Sequence, residues 1–223
     1  MQQCLLNDSL SVRTVQKNGG ITLKVLFIGD SITEWGRHED AEGIGSGYVR
    51  YVHDYYITSN PTQCYEFINR GVGGNRITDL QARWDQDVIQ EKPDIVSISI
   101  GINDVWRQLD SSDQDQVYPE QFSKIYQELL ITVKEKTNAK IVLMEPTVIE
   151  EKIEAEGNKR LKEYVEITRN LAQQFGATLV PTHNAFLSYL QAQSGYKLTT
   201  DGVHMNSAGN MLMAATWIKH VNL

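Results

Sequence analysis

Two short segments near opposite ends of the chain carry side chains that could perform acyl transfer. Ser31 comes shortly after the apolar run Val25–Ile28, and Asp201 precedes His204 by three residues. A serine hydroxyl, an imidazole base and a carboxylate that orients the base are the groups needed for acyl transfer through an acyl-serine. Aspartate and serine after a strand, here Asp30 and Ser31, are also common helix N-caps, so the first segment alone leaves that interpretation open.

His204 is the histidine whose surroundings fit a catalytic base. The spacing in Asp201-x-x-His204, within a short glycine-containing loop, would let the carboxylate accept from Nδ1 while Nε2 faces a serine. An aspartate and a histidine could also bind a metal, but no further cluster of metal ligands completes a shell, so we expect no metal and no cofactor. The other four histidines are expected to be structural or solvated: His38, His53, His183 and His220.

Two further segments could donate hydrogen bonds to an oxyanion. Gly74 lies in the glycine-rich stretch 71–74, where the lack of a Cβ lets a substrate oxygen approach the backbone N–H. Asn103 follows the buried-looking run Ile95–Ile100, and its amide could donate to the oxyanion from the side opposite to the backbone donors, which include the N–H of Ser31. Each segment has an ordinary alternative, because glycines and asparagines also form tight turns.

Apolar runs alternate with helical periodicity along the chain, and this alternation predicts how the candidate residues are positioned. The runs typical of strands are Leu23–Ile28, Ile95–Ile100 and Ile141–Met144, and the helical repeats span 77–88, 122–133 and 161–175. The pattern predicts an α/β protein, a three-layer α/β/α sandwich with a buried parallel sheet. Ligands of such open sheets bind beyond the carboxyl ends of the strands, where Ser31, Gly74 and Asn103 would emerge.

Length and charge limit the possible classes of protein. The 223 residues fit a single domain, 1–223, and 21 basic against 28 acidic residues give a net charge of −7, which argues against nucleic-acid binding. The first residues lack a basic region and a long apolar stretch, so we expect no export signal, no membrane association and a cytoplasmic protein. Cys4 and Cys64 are expected to be free thiols.

Three candidate loops approach the predicted site, namely 37–47, 109–119 and 145–158. The last one is acidic, and we expect its glutamates to lie on a solvated helix or lid rather than to take part in catalysis. These glutamates are Glu150, Glu151, Glu154 and Glu156. The apolar C-terminal segment 208–218 is expected to form a core-packed helix, part of which could serve self-association into a homo-oligomer.

In combination, the four motifs resemble the four sequence blocks of the SGNH (GDSL-type) hydrolase superfamily. The blocks are Gly29-Asp30-Ser31, Gly74, Gly101-x-Asn103-Asp104 and Asp201-x-x-His204. The similarity covers nearly the whole chain from Leu23, while the first twenty residues have no counterpart. The stretches 27–33, 82–84 and 101–107 are most similar to bacterial acetylxylan esterase-type carbohydrate esterases.

This resemblance implies a flavodoxin-like parallel sheet of about five strands and metal-independent hydrolysis. It implies that Ser31 is the nucleophile, that Asp201 and His204 complete the triad, and that Gly74 and Asn103 donate to the oxyanion beside the Ser31 N–H. The substrates would be acetyl esters of xylo-oligosaccharides or related carbohydrates. A lipid or general short-chain ester hydrolase, similar to a lysophospholipase or thioesterase, and a non-catalytic acyl- or sugar-binding module are the alternatives.

Four residues close to these blocks are expected to contact the substrate: Asp30, Trp35, Trp106 and Arg107. Aromatic faces suit the apolar face of a sugar, and the forked guanidinium suits its hydroxyls. Tryptophans also commonly belong to the core, so this assignment depends on where the fold places them.

Overall fold

A computed structural model describes residues 22–111, 113 and 115–223. Its centre is a sheet of five parallel strands in the order β2-β1-β3-β4-β5. The strands are β1 (Thr22–Gly29), β2 (Cys64–Gly71), β3 (Ile95–Ser99), β4 (Lys140–Met144) and β5 (Thr178–Val180). This is the flavodoxin-like doubly wound order, which confirms the predicted α/β fold. Cys4 and the N-terminal segment 1–20 lie outside the described residues.

Helices cover both faces of the sheet. They are α1 (Ser31–Glu34), α2 (Tyr48–Ser59), α3 (Ile77–Trp84), α4 (Ile102–Asp110), α5 (Pro119–Lys136), α6 (Glu156–Phe175), α7 (Thr182–Gln191) and α8 (Ser207–His220). In one layer α8 contacts α2 and α7, and in the other α5 contacts α3 and α6, while α6 also contacts α4. A π-helical turn, Asp85–Ile89, extends α3. Within the described part of the chain, no helix is long and apolar enough to cross a membrane.

The central strands are buried, as expected for a parallel sheet between two helical layers. All five residues of β3 are buried, and so are the last five of β1. Strand order reverses at β1, whose neighbours are β2 and β3. Ligands of doubly wound sheets bind at such a reversal, beyond the carboxyl ends of the strands. Ser31 is the second residue after β1, so the fold places it there.

The C-terminal helix α8 belongs to the core. Trp217 is completely buried, its indole N–H donates to Ser97 Oγ on β3 at 3.0 Å, and its ring lies 5.4 Å from that of Phe27 on β1. The Tyr56 hydroxyl on α2 donates to the carbonyl of Val221 at 2.7 Å. These contacts fix the end of the chain against the same strands that carry the candidate site.

A close approach between β2 and α1 fixes the turn that carries Ser31. A Cβ built on Gly71 would lie 2.2 Å from the backbone nitrogen of Glu34, so the position accepts no side chain. At the start of α1, the Asp30 carboxylate accepts a hydrogen bond from the Ile32 N–H at 2.9 Å. That is an N-cap, the structural role that the sequence left open for this segment.

Candidate active site

The structure brings Ser31, His204 and Asp201 into one hydrogen-bonded chain. Ser31 Oγ lies 2.8 Å from His204 Nε2, and His204 Nδ1 lies 2.6 Å from Asp201 Oδ2. The serine and the histidine are separated by 173 positions in sequence, so only the fold makes this contact. The arrangement has the order of groups required for a nucleophile, a general base and an orienting carboxylate.

Asp201 is held by the loop that carries it. Its Oδ1 accepts from the backbone N–H groups of Val203 at 3.0 Å and of His204 at 2.8 Å. Partial burial acts to raise the pKa of Asp201, but the hydrogen bonds from the His204 ring and from the two backbone N–H groups together outweigh it and lower that pKa. The carboxylate therefore stays ionised and can stabilise a protonated His204 imidazole.

The glycine-rich segment after β2 lies beside Ser31. A Cβ built on Gly73 would be 4.0 Å from Ser31 Cβ, and Gly74, with φ +78°, has open space where a side chain would be. Asn103, at the start of α4, is 1% exposed and donates from Nδ2 to the carbonyl of Asn75 at 3.1 Å. Its amide thus bonds the residue that follows Gly74, while Gly73 lies next to Ser31, so segment 73–75 connects the residues that are expected to donate to an oxyanion.

Two buried carboxyl groups are sequence neighbours of Ser31 and Asn103. Asp30 is 2% exposed, and burial raises its pKa to about 7 against the lowering effect of the Ile32 N–H and of nearby His204. Asp104 is fully buried, accepts from the Ile77 N–H at 3.1 Å, and has its pKa raised by burial to about 7. The expected substrate contact of Asp30 does not fit this position, because its carboxylate points into the protein and caps α1.

Two tryptophans flank the histidine. The Trp35 ring stacks on His204 with centroids 5.5 Å apart, and the Trp106 ring meets His204 edge-on at 5.8 Å. The Arg107 guanidinium lies over the Trp106 ring at 5.0 Å and donates to Asp110 at 2.7 Å. Both tryptophans are half-buried.

The remaining histidines lie elsewhere. His183 is buried and bonds the carbonyl of Thr147, His53 contacts Asp54 at 2.7 Å, and His220 bonds a backbone carbonyl within α8. His38 is exposed. Among residues 22–111, 113 and 115–223, no group of three or more histidine, cysteine or acidic side chains could hold a metal ion.

Two charged residues reach the site without being predicted by sequence reasoning. Arg83 on α3 donates to the carbonyl of Gly29 at 3.0 Å and to Asn75 Oδ1 at 2.8 Å, so it joins the end of β1 to the glycine-rich segment. Glu151 was expected to be solvated, and instead its carboxylate accepts from the backbone of Leu198 and Thr199 near the triad. The match of segment 82–84 to carbohydrate esterases was the one available signal for Arg83.

Comparison with known proteins identifies the family of the chain. The model of the GDSL-like lipase/acylhydrolase family matches residues 27–212. The chain is 36% identical to an acetylxylan esterase of Geobacillus stearothermophilus over 205 residues, which are 89% of this chain and 93% of that protein.

Solved structures with the same fold cover a similar share of the chain. The crystal structure of Axe2, an acetylxylan esterase from Geobacillus stearothermophilus, has a TM-score of 0.82 at 35% identity and covers 88% of this chain and 93% of its own. The structure of LAE5, an alpha/beta hydrolase from the metagenome of Lake Arreo, has a TM-score of 0.82 at 34% identity, covering 88% and 94%. Catalytic mutants of Axe2 that replace a serine, an aspartate or a histidine with alanine are also similar. The chain belongs to the GDSL-like lipase/acylhydrolase family.

Proposed function

We propose that this protein is a serine esterase that removes acetyl groups from xylo-oligosaccharides or related carbohydrates. The hydrogen-bonded chain from Ser31 through His204 to Asp201 carries the proposal, since it supplies every group that acyl transfer needs. The acetylxylan esterase relative, which aligns over 89% of the chain, supports the acetyl group and the carbohydrate alcohol. The catalytic mutants of Axe2 concern the same three residue types.

In the first half of the reaction, His204 Nε2 accepts the proton of Ser31 Oγ while that oxygen attacks the ester carbonyl carbon. The carbonyl oxygen becomes an oxyanion, for which the N–H groups of Ser31 and Gly74 and the Nδ2 amide of Asn103 are the donors in this proposal. The intermediate collapses, the carbon–oxygen bond to the sugar breaks, and the protonated imidazole gives its proton to the departing alcohol. An acetyl-serine remains.

In the second half, His204 accepts a proton from water as the water oxygen attacks the acetyl-serine. A second tetrahedral oxyanion forms beside the same donors; its collapse breaks the bond between the acyl carbon and Ser31 Oγ, the imidazolium gives its proton to that oxygen, and acetate is released. Asp201 accepts from Nδ1 throughout, which keeps the tautomer that leaves Nε2 free to act as the base and stabilises the imidazolium. The lowered pKa of Asp201 keeps this carboxylate ionised across the cycle.

The aromatic rings next to His204 support a carbohydrate as the alcohol. Trp35 and Trp106 border the imidazole that protonates the leaving oxygen, and their accessible parts could stack on a sugar ring. Arg107, which lies over Trp106, could donate to sugar hydroxyls. In this proposal the three side chains form the substrate-binding rim.

The test is direct measurement of acetate released from acetylated xylo-oligosaccharides by the wild type and by Ser31→Ala. We expect turnover by the wild type and none by the folded variant. A wild type that releases no acetate from them but hydrolyses p-nitrophenyl octanoate faster than p-nitrophenyl acetate would favour the lipid or short-chain alternative. Equal acetate release by Ser31→Ala would reject the acyl-serine route, and tight binding without turnover would indicate the binding module.

Two further properties stay predictions from the sequence. Cell fractionation would test the cytoplasmic location, and light scattering would test self-association through the apolar C-terminal helix.

A further inference from the structure

Glu150 and Glu151 bind the loop that carries Asp201 and His204. Glu151 Oε1 accepts from the backbone N–H of Leu198 at 3.0 Å and of Thr199 at 2.7 Å, and Oε2 also accepts from the Leu198 N–H at 3.1 Å. The Thr199 hydroxyl donates to the same Oε1. One carboxylate therefore satisfies three donors on two adjacent loop residues, which are themselves 2% and 6% exposed.

These contacts continue to the catalytic pair. The Thr199 hydroxyl that donates to Glu151 accepts from the Gly202 N–H at 3.2 Å, and the Glu150 N–H donates to the carbonyl of Gly202 at 2.8 Å. The Thr200 N–H donates to the carbonyl of His204 at 2.8 Å. Backbone hydrogen bonds thus join the two ends of the loop on either side of Asp201. Glu151, which lies outside the loop, binds Leu198 and Thr199 at its start.

We infer that Glu151 is a positioning residue, which sets where His204 Nε2 lies relative to Ser31 Oγ without touching the substrate. The inference rests on the proposed function, because it assigns Glu151 to the same triad. The backbone of the loop pairs with itself through Thr200 and His204 and through Leu198 and Asn206, and the Glu151 carboxylate adds three hydrogen bonds at Leu198 and Thr199, so it contributes to the geometry of the loop. Transfer of a proton between Ser31 and His204 depends steeply on their distance, and misplacement by about 1 Å can cost about 10²-fold in rate.

The hydrogen bonds of Glu151 can be changed by a substitution that keeps the volume of its side chain. Its side chain borders a cleft of about 410 Å³, lined also by Lys152, Lys197 and the loop residues 199–202. Glu151→Gln keeps the size of the side chain and one acceptor oxygen, but puts an NH₂ group against a backbone N–H. The substitution changes the hydrogen bonds of the loop and leaves no cavity.

The experiment compares Glu151→Gln with Glu154→Gln, a matched substitution at an exposed glutamate three residues further along the chain. We expect Glu151→Gln to lower kcat for acetyl ester hydrolysis about 10- to 100-fold, with KM within about 2-fold and an almost unchanged melting temperature. The downfield proton NMR signal of His204 Nδ1–H should shift or broaden in the same variant. Glu154→Gln should match the wild type in all four measurements.

Wild-type kcat in a folded Glu151→Gln would overturn the inference. If Glu151→Gln does not fold, Thr199→Val removes the hydroxyl bridge while keeping the shape, and should lower kcat in the same direction with an altered Nδ1–H signal. An unchanged kcat in that variant would reject the inference. Ser31→Ala separates the two claims, because an inactive Ser31→Ala with a fully active Glu151→Gln rejects the positioning role alone.

Discussion

Asn103 is the side chain by which the proposed oxyanion site can be tested separately from the triad. Asn103→Ala removes one donor, and the loss of one such donor typically lowers kcat about 10²- to 10³-fold. KM should change little, since the donor acts on charge that develops in the transition state. Steady-state kinetics with an acetyl ester measure both constants. An unchanged kcat in the folded variant would show that Asn103 does not stabilise the oxyanion.

The buried Asp104 carboxyl should make stability depend on pH. Its pKa is raised to about 7, so its contribution to the free energy of unfolding is complete below the ordinary pKa of 3.8 and is lost as pH rises through about 7. Its Oδ2 has no hydrogen-bond partner among the described residues, so a charge there is poorly compensated. Asp30 acts in the same direction, with its pKa also raised by burial to about 7.

Asp104→Asn should therefore gain stability relative to the wild type as pH rises. The amide can still accept from the Ile77 N–H and carries no charge. Urea unfolding at about pH 5 and about pH 8 would measure the difference. A constant difference between the two proteins across this range would contradict the shifted pKa.

Two glycines, Gly71 at the end of β2 and Gly73 just after it, should respond very differently to substitution by alanine. A Cβ on Gly71 would lie 2.2 Å from the Glu34 nitrogen, whereas one on Gly73 would have Ser31 Cβ at 4.0 Å as its nearest neighbour. We expect Gly71→Ala to lower the free energy of unfolding by about 1–3 kcal/mol or more. Gly73→Ala should stay close to the wild type, because its φ is not positive. Chemical denaturation of the two variants tests this, and equal stability would contradict it.

Most elements could be predicted because periodicity is a local property of the sequence. The runs that include Val25–Ile28 and Ile95–Ile100 were predicted as strands, and both are observed within a residue or two. Strand β5 was not predicted, since Thr178–Val180 is only three residues long and precedes a proline. The π-helical turn after α3 was missed too, because it has no distinct apolar period.

Some residues of the candidate site could be predicted from the sequence and others could not, for the same reason. Ser31, Asn103 and the Asp-His pair sit in short motifs that a sequence shows directly. Arg83 and Glu151 could not be predicted as parts of the site, because their partners lie 54 positions away at Gly29 and 48 positions away at Thr199. Such roles arise from tertiary contacts, which periodicity and spacing do not report.

Over the whole molecule, the termini of the described chain share one core. Trp217 on the last helix touches Phe27 on the first strand and bonds Ser97 on the third. We therefore predict that the domain unfolds in a single cooperative transition, with equal calorimetric and van't Hoff enthalpies. Scanning calorimetry measures both quantities, and two resolved transitions would contradict the single domain predicted from the sequence.

The nucleophile can be identified most directly by peptide mass spectrometry after treatment with a fluorophosphonate, which reacts covalently with activated serines. One adduct should form, on Ser31. The Ser31→Ala variant should remain unlabelled, and His204→Ala should react far more slowly because its serine has lost its base. An adduct on another residue, or labelling of Ser31→Ala equal to that of the wild type, would contradict the proposed triad.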